Sequence, residues 1–255
     1  MLAVERRNTI EQIINEKGSV LVVDLAKQFE VTTETIRGDL LKLEKQGVLI
    51  RTYGGATLAD TNSAADMPIA ERDTVNFEEK QRIGKYAARM IKNGETVFLD
   101  ASTSAWHLAR NIKDKHGVTV ITNASKIAAE LAECTGVHVI CTGGELTPRN
   151  MSYVGRIAEK TIRENYFANK CFFSCKGVTL TRGLIDSSED EAEIKKAMIR
   201  NSESVIFLCD HNKLGRMGVP SIGTLNGIDC FITDVQLSED WNDALNKCEV
   251  KIITV

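Results

Sequence analysis

Apolar positions along this chain keep two different rhythms. In the first part the rhythm is helical. Val4, Ile10, Ile13 and Ile14 within residues 2–16 predict an amphipathic helix stopped at Gly18. A short extended stretch at Val20–Val22 leads to a second helix over Val23–Phe29, with Leu25, Ala26 and Phe29 on one face. Thr32 is a good N-cap for a third helix that runs to about Gln46 and is stopped by Gly47. Ile36, Leu40 and Leu43 recur at i, i+4 and i+7 and make its core face. The segment VLIRTYGGA then alternates and turns at Gly54-Gly55, as a β-hairpin does. Three helices and a hairpin in this order predict a winged helix-turn-helix over residues 1–57.

Residues 58–66 (LADTNSAAD) are small and polar without apolar period, and the expected linker runs on through Pro68 to Thr74. From residue 75 the rhythm changes to short apolar runs separated by helical stretches. The expected strands are TVFL, VTVIT, VHVIC, KCFFSC, SVIFLC, DCFIT and KIITV. The helices between them fall near residues 77–92, 103–112, 125–133, 156–164, 189–200 and 240–245. Strands buried on both faces and alternating with helices predict an α/β domain over residues 75–255 with a mostly parallel sheet.

Composition narrows this little. The 255 residues carry 43% hydrophobic and 26% charged side chains, ordinary for a globular protein. No apolar run approaches the roughly 20 residues that span a bilayer. The beginning, MLAVERRNTIEQ, has no signal-peptide apolar stretch, so a cytoplasmic protein is expected. The seven cysteines are odd in number and lack a CxxC pair, which predicts buried free thiols. The four histidines show no metal-ligand spacing, and neither a metal nor a cofactor is expected.

On the third helix the side opposite the core offers Thr33, Arg37 and Lys42, with Thr32 and Thr35 at its N-terminal end. Arg51 and Tyr53 stand where a wing would approach a backbone. Hydroxyls and a guanidinium fork suit phosphates and base edges. The net charge of −3 gives no general attraction to nucleic acid, and residues 1–57 balance eight basic against eight acidic side chains. A small helical dimerisation module therefore stays open as the alternative on pattern alone.

Ligands of open α/β sheets sit beyond the carboxyl ends of the strands. Asp100, Ser102, Thr103 and Ser104 follow the first expected strand, and Asn123 the second. Gly143 and Gly144, then Lys176 and Gly177, then Asp210 and Lys213 follow later ones. Hydroxyls at a helix start, glycine amides and lysines suit a phosphate. Asp100, Asn123 and Asp210 suit sugar hydroxyls. Singly, each of these is better explained as a turn or cap residue, and it is their convergence on one sheet edge that favours a ligand site. Glu189, Glu191 and Lys195 lie on a charged helix read as a solvated face. His211 reads as a polar rim residue, and Trp106 and His107 as packing residues.

The stretch VTTETIRGDLLKLEKQGVLIRTYGGA closely resembles the signature of the DeoR/GlpR family of bacterial sugar-operon regulators. The matching residues are Thr35, Ile36, Arg37, Asp39, Leu40, Leu43, Gly47, Leu49, Arg51, Gly54, Gly55 and Ala56. Arg6, Ile10 and Ile14 also fall where the family's first helix has such residues. Gly38 departs from the family, which carries Arg or another basic residue there. The resemblance implies a repressor of a carbohydrate-catabolism operon that binds double-stranded operator DNA as a homo-oligomer and is relieved by a phosphorylated sugar. It also implies a sensing domain similar in fold to ribose-phosphate isomerases and glucosamine-phosphate deaminases. In that domain Asn212 replaces the family's Ser within DHNK, and STS replaces Gly-Thr-Thr in the first loop. The competing expectation is an enzyme, an isomerase or deaminase with an added domain, using Asp100, Lys176 and Asp210 for acid–base chemistry.

Overall fold

The computed structural model describes residues 3–17, 19–45, 48–52, 54–58 and 67–255. It divides into two compact units, Met1–Asp66 and Met67–Val255.

In the first unit the helices are α1 (Ala3–Lys17), α2 (Val22–Gln28) and α3 (Thr33–Lys45), with strands β1 (Ser19–Leu21), β2 (Leu49–Thr52) and β3 (Gly55–Leu58). Ile10 and Ile14 of α1, Leu25 and Ala26 of α2, and Ile36, Leu40 and Leu43 of α3 close one small core, with Phe29 packed on it. The turn between α2 and α3 passes through Glu30 in the left-handed region (φ 54°), which lets Val31 N reach Ala26 O at 3.1 Å. Thr32 caps α3 as its position predicts, its hydroxyl accepting from Thr35 N at 3.2 Å. The β2–β3 hairpin is extended by β1 on its far side, Val20 facing Ala56. Gly55 is required there, since a Cβ would lie 2.0 Å from the Val20 carbonyl oxygen. The expected helix stops, Gly18 and Gly47, and residues 59–66 of the expected linker lie outside the described residues.

The second unit begins with a helix that the sequence pattern did not suggest. Residues 69–74, expected in the linker, form α4 (Ile69–Thr74), with Ile69 buried. One turn of helix carries too few apolar positions to show a period. There follow α5 (Phe77–Arg89), β4 (Thr96–Leu99), α6 (Thr103–Arg110), β5 (Val118–Thr122), α7 (Ser125–Leu131) and β6 (Val137–Cys141). A hairpin, β7 (Glu145–Thr147) and β8 (Ser152–Val154), leads to α8 (Gly155–Asn165) and β9 (Ala168–Phe173). Next come β10 (Gly177–Thr179), β11 (Gly183–Ile185), α9 (Glu189–Arg200), β12 (Ser202–Cys209), β13 (Ser221–Gly223), β14 (Cys230–Thr233), α10 (Glu239–Lys247) and β15 (Lys251–Thr254).

Seven strands make one sheet in the order β15-β14-β12-β9-β4-β5-β6, every pair of neighbours parallel. The inner parts of its central strands are apolar because both faces are covered, whereas the edge strands β6 and β15 are partly exposed. Phe98, Phe173, Phe207 and Phe231 point to the side of α8, α9 and α10, whereas Val97, Leu99, Phe172 and Ile206 point to α5, α6 and α7. The three-stranded sheet β10-β11-β13 and the β7–β8 hairpin are additions that apolar runs of three residues did not reveal. Cys171, Cys175, Cys209 and Cys230 are buried free thiols as expected, but Cys141, at the end of the edge strand β6, is exposed. Among the described residues no helix is long and apolar enough to cross a membrane.

Candidate functional site

The first candidate surface is the outer side of α3. Thr32, Thr33, Glu34, Thr35, Arg37, Gly38, Leu41 and Lys42 are exposed, while Ile36, Leu40 and Leu43 turn inward. Asp39 also turns inward, and Arg6 Nε of α1 pairs with it at 2.6 Å, with Arg7 at 3.4 Å. This buried pair fixes the pitch of α3 against α1 and so aims the polar side outward. Two carboxylates missed by sequence reasoning stand beside the basic groups. Arg37 lies 3.3 Å from Glu34, both strongly exposed, and Arg51 lies 2.7 Å from Glu44. Such pairs on the surface are weak and exchange easily for phosphate contacts. Of the residues expected to face DNA, Thr32 is committed to the helix cap. Thr33, Thr35, Arg37, Lys42 and Arg51 stand in solvent, and Tyr53 lies outside the described residues.

The second candidate site follows from strand order. After β4 the chain proceeds to β5 on one side, and after β9 it proceeds to β12 on the other, although β4 and β9 are neighbours. Their carboxyl ends therefore open a crevice, as the winding of such sheets dictates. Asp100 sits at the β4 end, wholly buried; its carboxylate accepts from Ser102 Oγ (2.6 Å) and from Ser174 N of the β9 end (3.3 Å). Burial pushes its carboxyl up, and the Lys195 ammonium 3.6 Å away opposes that rise. Ser102 caps α6 by accepting from Ala105 N. Thr103 and Ser104 are buried in the first turn of α6, and Ser104 Oγ has no partner among the described residues. Asn123, after β5, donates to Tyr153 O at 3.1 Å, and its Oδ1 is likewise buried and unpartnered.

At the β12 end Asp210 is buried between Asn76 Nδ2 (3.0 Å) and Lys213 Nζ (3.7 Å). Burial would raise its carboxyl, but Lys213 and Lys80 outweigh that and hold it below the usual range. Lys213 also donates to Cys175 O at 2.7 Å, joining the β9 and β12 loops, and Lys176 lies buried beside it in the chain. The glycines divide. Gly177 and Gly144 answer close approaches, their Cβ positions falling 2.2 Å from Arg216 O and 2.6 Å from Val154 O. Around Gly143 (φ 67°) there is open space. Gly143 and Gly144 follow the edge strand β6, two strands from the β4–β9 crevice.

On α9 Glu189 is exposed as expected, but the other two charged residues expected in solvent are not solvated. Glu191 and Lys195 are buried, and Lys195 Nζ lies 2.6 Å from Asp186, 3.6 Å from Asp100 and 3.9 Å from Glu191. Burial would lower the lysine, but the three carboxylates hold it above its ordinary value. Glu191 Oε1 accepts from Asn150 Nδ2 (2.8 Å) and from Ser152 Oγ. The signal was present in the sequence: Glu191, Lys195 and Met198 occupy i, i+4 and i+7 beside Ile194, so two charges fall within an apolar stripe. Another buried lysine, Lys80, donates to Arg72 O (2.5 Å) and Val75 O (2.6 Å), and burial next to Lys213 pushes it down to about 8.

The residues expected to pack do so. His107 is buried 3.1 Å from Asp73, with Phe77 edge-on to its ring, and Trp106 Nε1 donates to Glu130 at 3.1 Å. His211 is exposed on the rim, 2.7 Å from Asp234. Among the described residues no cluster of His, Cys, Asp and Glu is arranged to hold a metal ion.

A winged helix with an exposed polar side on α3, joined in one chain to an α/β domain with buried polar residues at the carboxyl ends of its strands, defines a DNA-binding regulator of two domains. Residues 6–62 match the DeoR-like helix-turn-helix domain and residues 75–235 the DeoR C-terminal sensor domain. The HTH-type transcriptional regulator YulB of Bacillus subtilis is 39% identical over 255 residues, 100% of this chain and 98% of that protein. The glycerol-3-phosphate regulon repressor of Escherichia coli K12 is 29% identical over 234 residues, 92% of each. Ribose 5-phosphate isomerase A from Methanocaldococcus jannaschii superposes with a TM-score of 0.41 at 15% identity over 55% of this chain and 56% of that one. The chain belongs to the DeoR family of transcription regulators. It is a DNA-binding regulator and not an enzyme, and the acid–base roles considered for Asp100, Lys176 and Asp210 fall away.

Proposed function

We propose that this regulator represses an operon for carbohydrate breakdown and releases its operator when a phosphorylated sugar enters the crevice at the carboxyl ends of β4, β9 and β5. The observation that carries this reading is the pair of buried, unpartnered atoms there, Ser104 Oγ and Asn123 Oδ1. A buried polar atom without a partner costs about 1–3 kcal/mol, which a ligand hydroxyl would recover. Asp100, Ser102, Thr103 and Gly143 would complete the sugar side of the site, with Lys176, Gly177, Lys213 and Asp210 on the β9–β12 side and Gly144 shaping its floor. The regulator named for glycerol 3-phosphate supports a phosphorylated polyol or sugar as the class of effector.

On the DNA side Thr33, Thr35, Arg37 and Lys42 read the major groove, Arg51 and Tyr53 hold the backbone, and Thr32 sets the helix end. The unit's balanced charge gives one copy little non-specific affinity, so a cytoplasmic homo-oligomer on a symmetric operator fits the electrostatics. Effector control requires that the ligand favour a state with poor operator affinity.

The test is an operator mobility shift with glycerol 3-phosphate, fructose 1-phosphate, fructose 6-phosphate, glucosamine 6-phosphate and ribose 5-phosphate. At least one should weaken operator binding by about 5-fold or more, within the usual range of allosteric coupling. Asn123→Leu should abolish that response. If all five leave the shift unchanged in the wild type, the effector reading is wrong.

A further inference from the structure

Helix α4 is the first element of the sensor unit, beginning at Ile69, just past the unit boundary at Asp66 and Met67. It is laid along the turn between β7 and β8. Ile69 N donates to Arg149 O at 2.9 Å, and one turn later Arg72 Nη2 donates to Asn150 Oδ1 at 2.7 Å. These two bonds bring residues 72 and 149 to the same seam, and the Arg149 charge is close enough to weigh on Arg72. Arg72 Nε is buried and has no partner among the described residues. The seam continues inward, since Asn150 donates to Glu191, and Glu191 borders the Lys195 cluster and Asp100.

The carboxylates of Glu191, Asp186 and Asp100 are close enough to hold up the Arg72 charge, although its hydrogen bond goes to Asn150. Asp186 and Asp100 lie against Lys195, and Oε1 of Glu191 accepts from Asn150 and Ser152. Arg72 is bonded to a neutral amide; burial lowers its pKa, the charges of Glu191, Asp186 and Asp100 oppose that fall, and a second guanidinium adds to it. Two arginines brought together in a partly dry seam form a fork suited to a tetrahedral anion.

We propose that the phosphate group of the effector seats between Arg72 and Arg149, and that α4 is thereby the element that registers occupancy. This rests on the effector reading above and adds to it where the anion lies. An anion at the fork competes with Asn150 for the Arg72 guanidinium. It shifts the short helix at which the chain enters the sensor unit, and the repressor needs a two-state element of this kind.

The probe is inorganic phosphate on the full-length protein. In the wild type, phosphate should protect Arg72 from phenylglyoxal, read by peptide mass spectrometry against chloride at equal ionic strength. It should also raise the melting temperature of the sensor unit. Arg72→Gln should weaken phosphate binding about tenfold or more, as loss of a charge-assisted bond would. Arg72→Lys keeps the charge but loses the fork and should fall between. The protection experiment needs no variant, so a folding defect in Arg72→Gln leaves the inference testable. Phenylglyoxal reaction at Arg72 that phosphate leaves unchanged overturns the site. If a sugar phosphate releases operator while Arg72 stays equally reactive, this inference fails and the effector reading stands. If phosphate shields Arg72 but no sugar phosphate releases operator, the site stands and the effector reading fails.

Discussion

In the DNA-binding unit the groups that would meet a ligand stand in solvent over an apolar base, whereas in the sensor unit they are sunk inside the protein. Thr33, Arg37 and Lys42 of α3 are exposed, and one buried ion pair, Arg6–Asp39, orients them from behind. In the sensor unit Asp100, Ser104, Asn123, Glu191, Lys195 and Asp210 are all buried, and Asp100 and Glu191 are paired with Lys195. Under the proposed function the difference follows from what each surface would bind. A duplex is read by side chains reaching outward, with water and salt competing throughout. A small hydrophilic ligand is held by groups already stripped of water, so stability and recognition draw on the same residues.

The sharpest way to break this contrast is to remove the centre of the buried network. Lys195→Ala leaves Asp186, Asp100 and Glu191 facing one another without their cation. Breaking a buried pair in this way costs about 3–5 kcal/mol, and here three carboxylates are uncovered. Urea unfolding should show the sensor transition at much lower denaturant, with the DNA-binding unit unaffected. A transition shifted by less than about 1 kcal/mol would mean that water reaches the cluster freely and that the site is not dry.

The opposite result is expected on α3. Arg37→Ala should weaken operator binding by about 1–3 kcal/mol, the range for an arginine contact to a base edge. Its stability should stay within about 0.5 kcal/mol of the wild type, since it gives up only a surface pair with Glu34. Footprinting and thermal melting of one preparation measure both quantities. An unchanged footprint would show that another face reads the DNA.

The same contrast decides what could be read from the amino-acid sequence. Helical spacing reveals a face, and in the first unit the faces are continuous stretches of chain. Ile36, Leu40 and Leu43 therefore located the core of α3, and by elimination its outer side. The strands of the sensor sheet were equally plain, and so were the residues at their carboxyl ends, because a buried parallel strand is a bare apolar run. Glu191 meets Lys195 one turn along α9 and Asp186 lies just before that helix, but Asp100 arrives from the distant end of β4, to which no local period corresponds. Helix α4 was hidden for a different reason. It is held by a backbone bond to Arg149 and a side-chain bond to Asn150, with Ile69 alone buried, so its sequence resembles a linker.

Capping gives a smaller test of how the reading helix is set. Thr32 Oγ1 accepts from Thr35 N and lies 2.9 Å from the Thr35 hydroxyl. Thr32→Ala should cost about 1 kcal/mol in the thermal stability of the DNA-binding unit. Thr32→Ser keeps the acceptor and should recover most of it. If Ala and Ser behave alike, the hydroxyl bond contributes nothing and the turn at Glu30 sets the helix start alone.

The smallest expected effect concerns Gly38, midway along the outer side of α3. A Cβ built there has nothing within 4 Å, so no packing reason favours glycine. Within a helix glycine costs up to about 1 kcal/mol relative to alanine, because its backbone has more freedom to lose. Gly38→Ala should therefore stabilise the DNA-binding unit by up to about that amount in thermal melts, while leaving the polar side chains of α3 in place. Operator affinity separates the two roles that the position could serve. If Gly38→Ala raises stability and binds operator as before, glycine is a local departure tolerated by a well-anchored helix. If stability rises but operator binding falls, the missing Cβ is what lets the helix backbone approach the duplex closely. In that case the outer side of α3 is shaped by absence as well as by charge, and Gly38→Arg should bind worse despite its added positive charge.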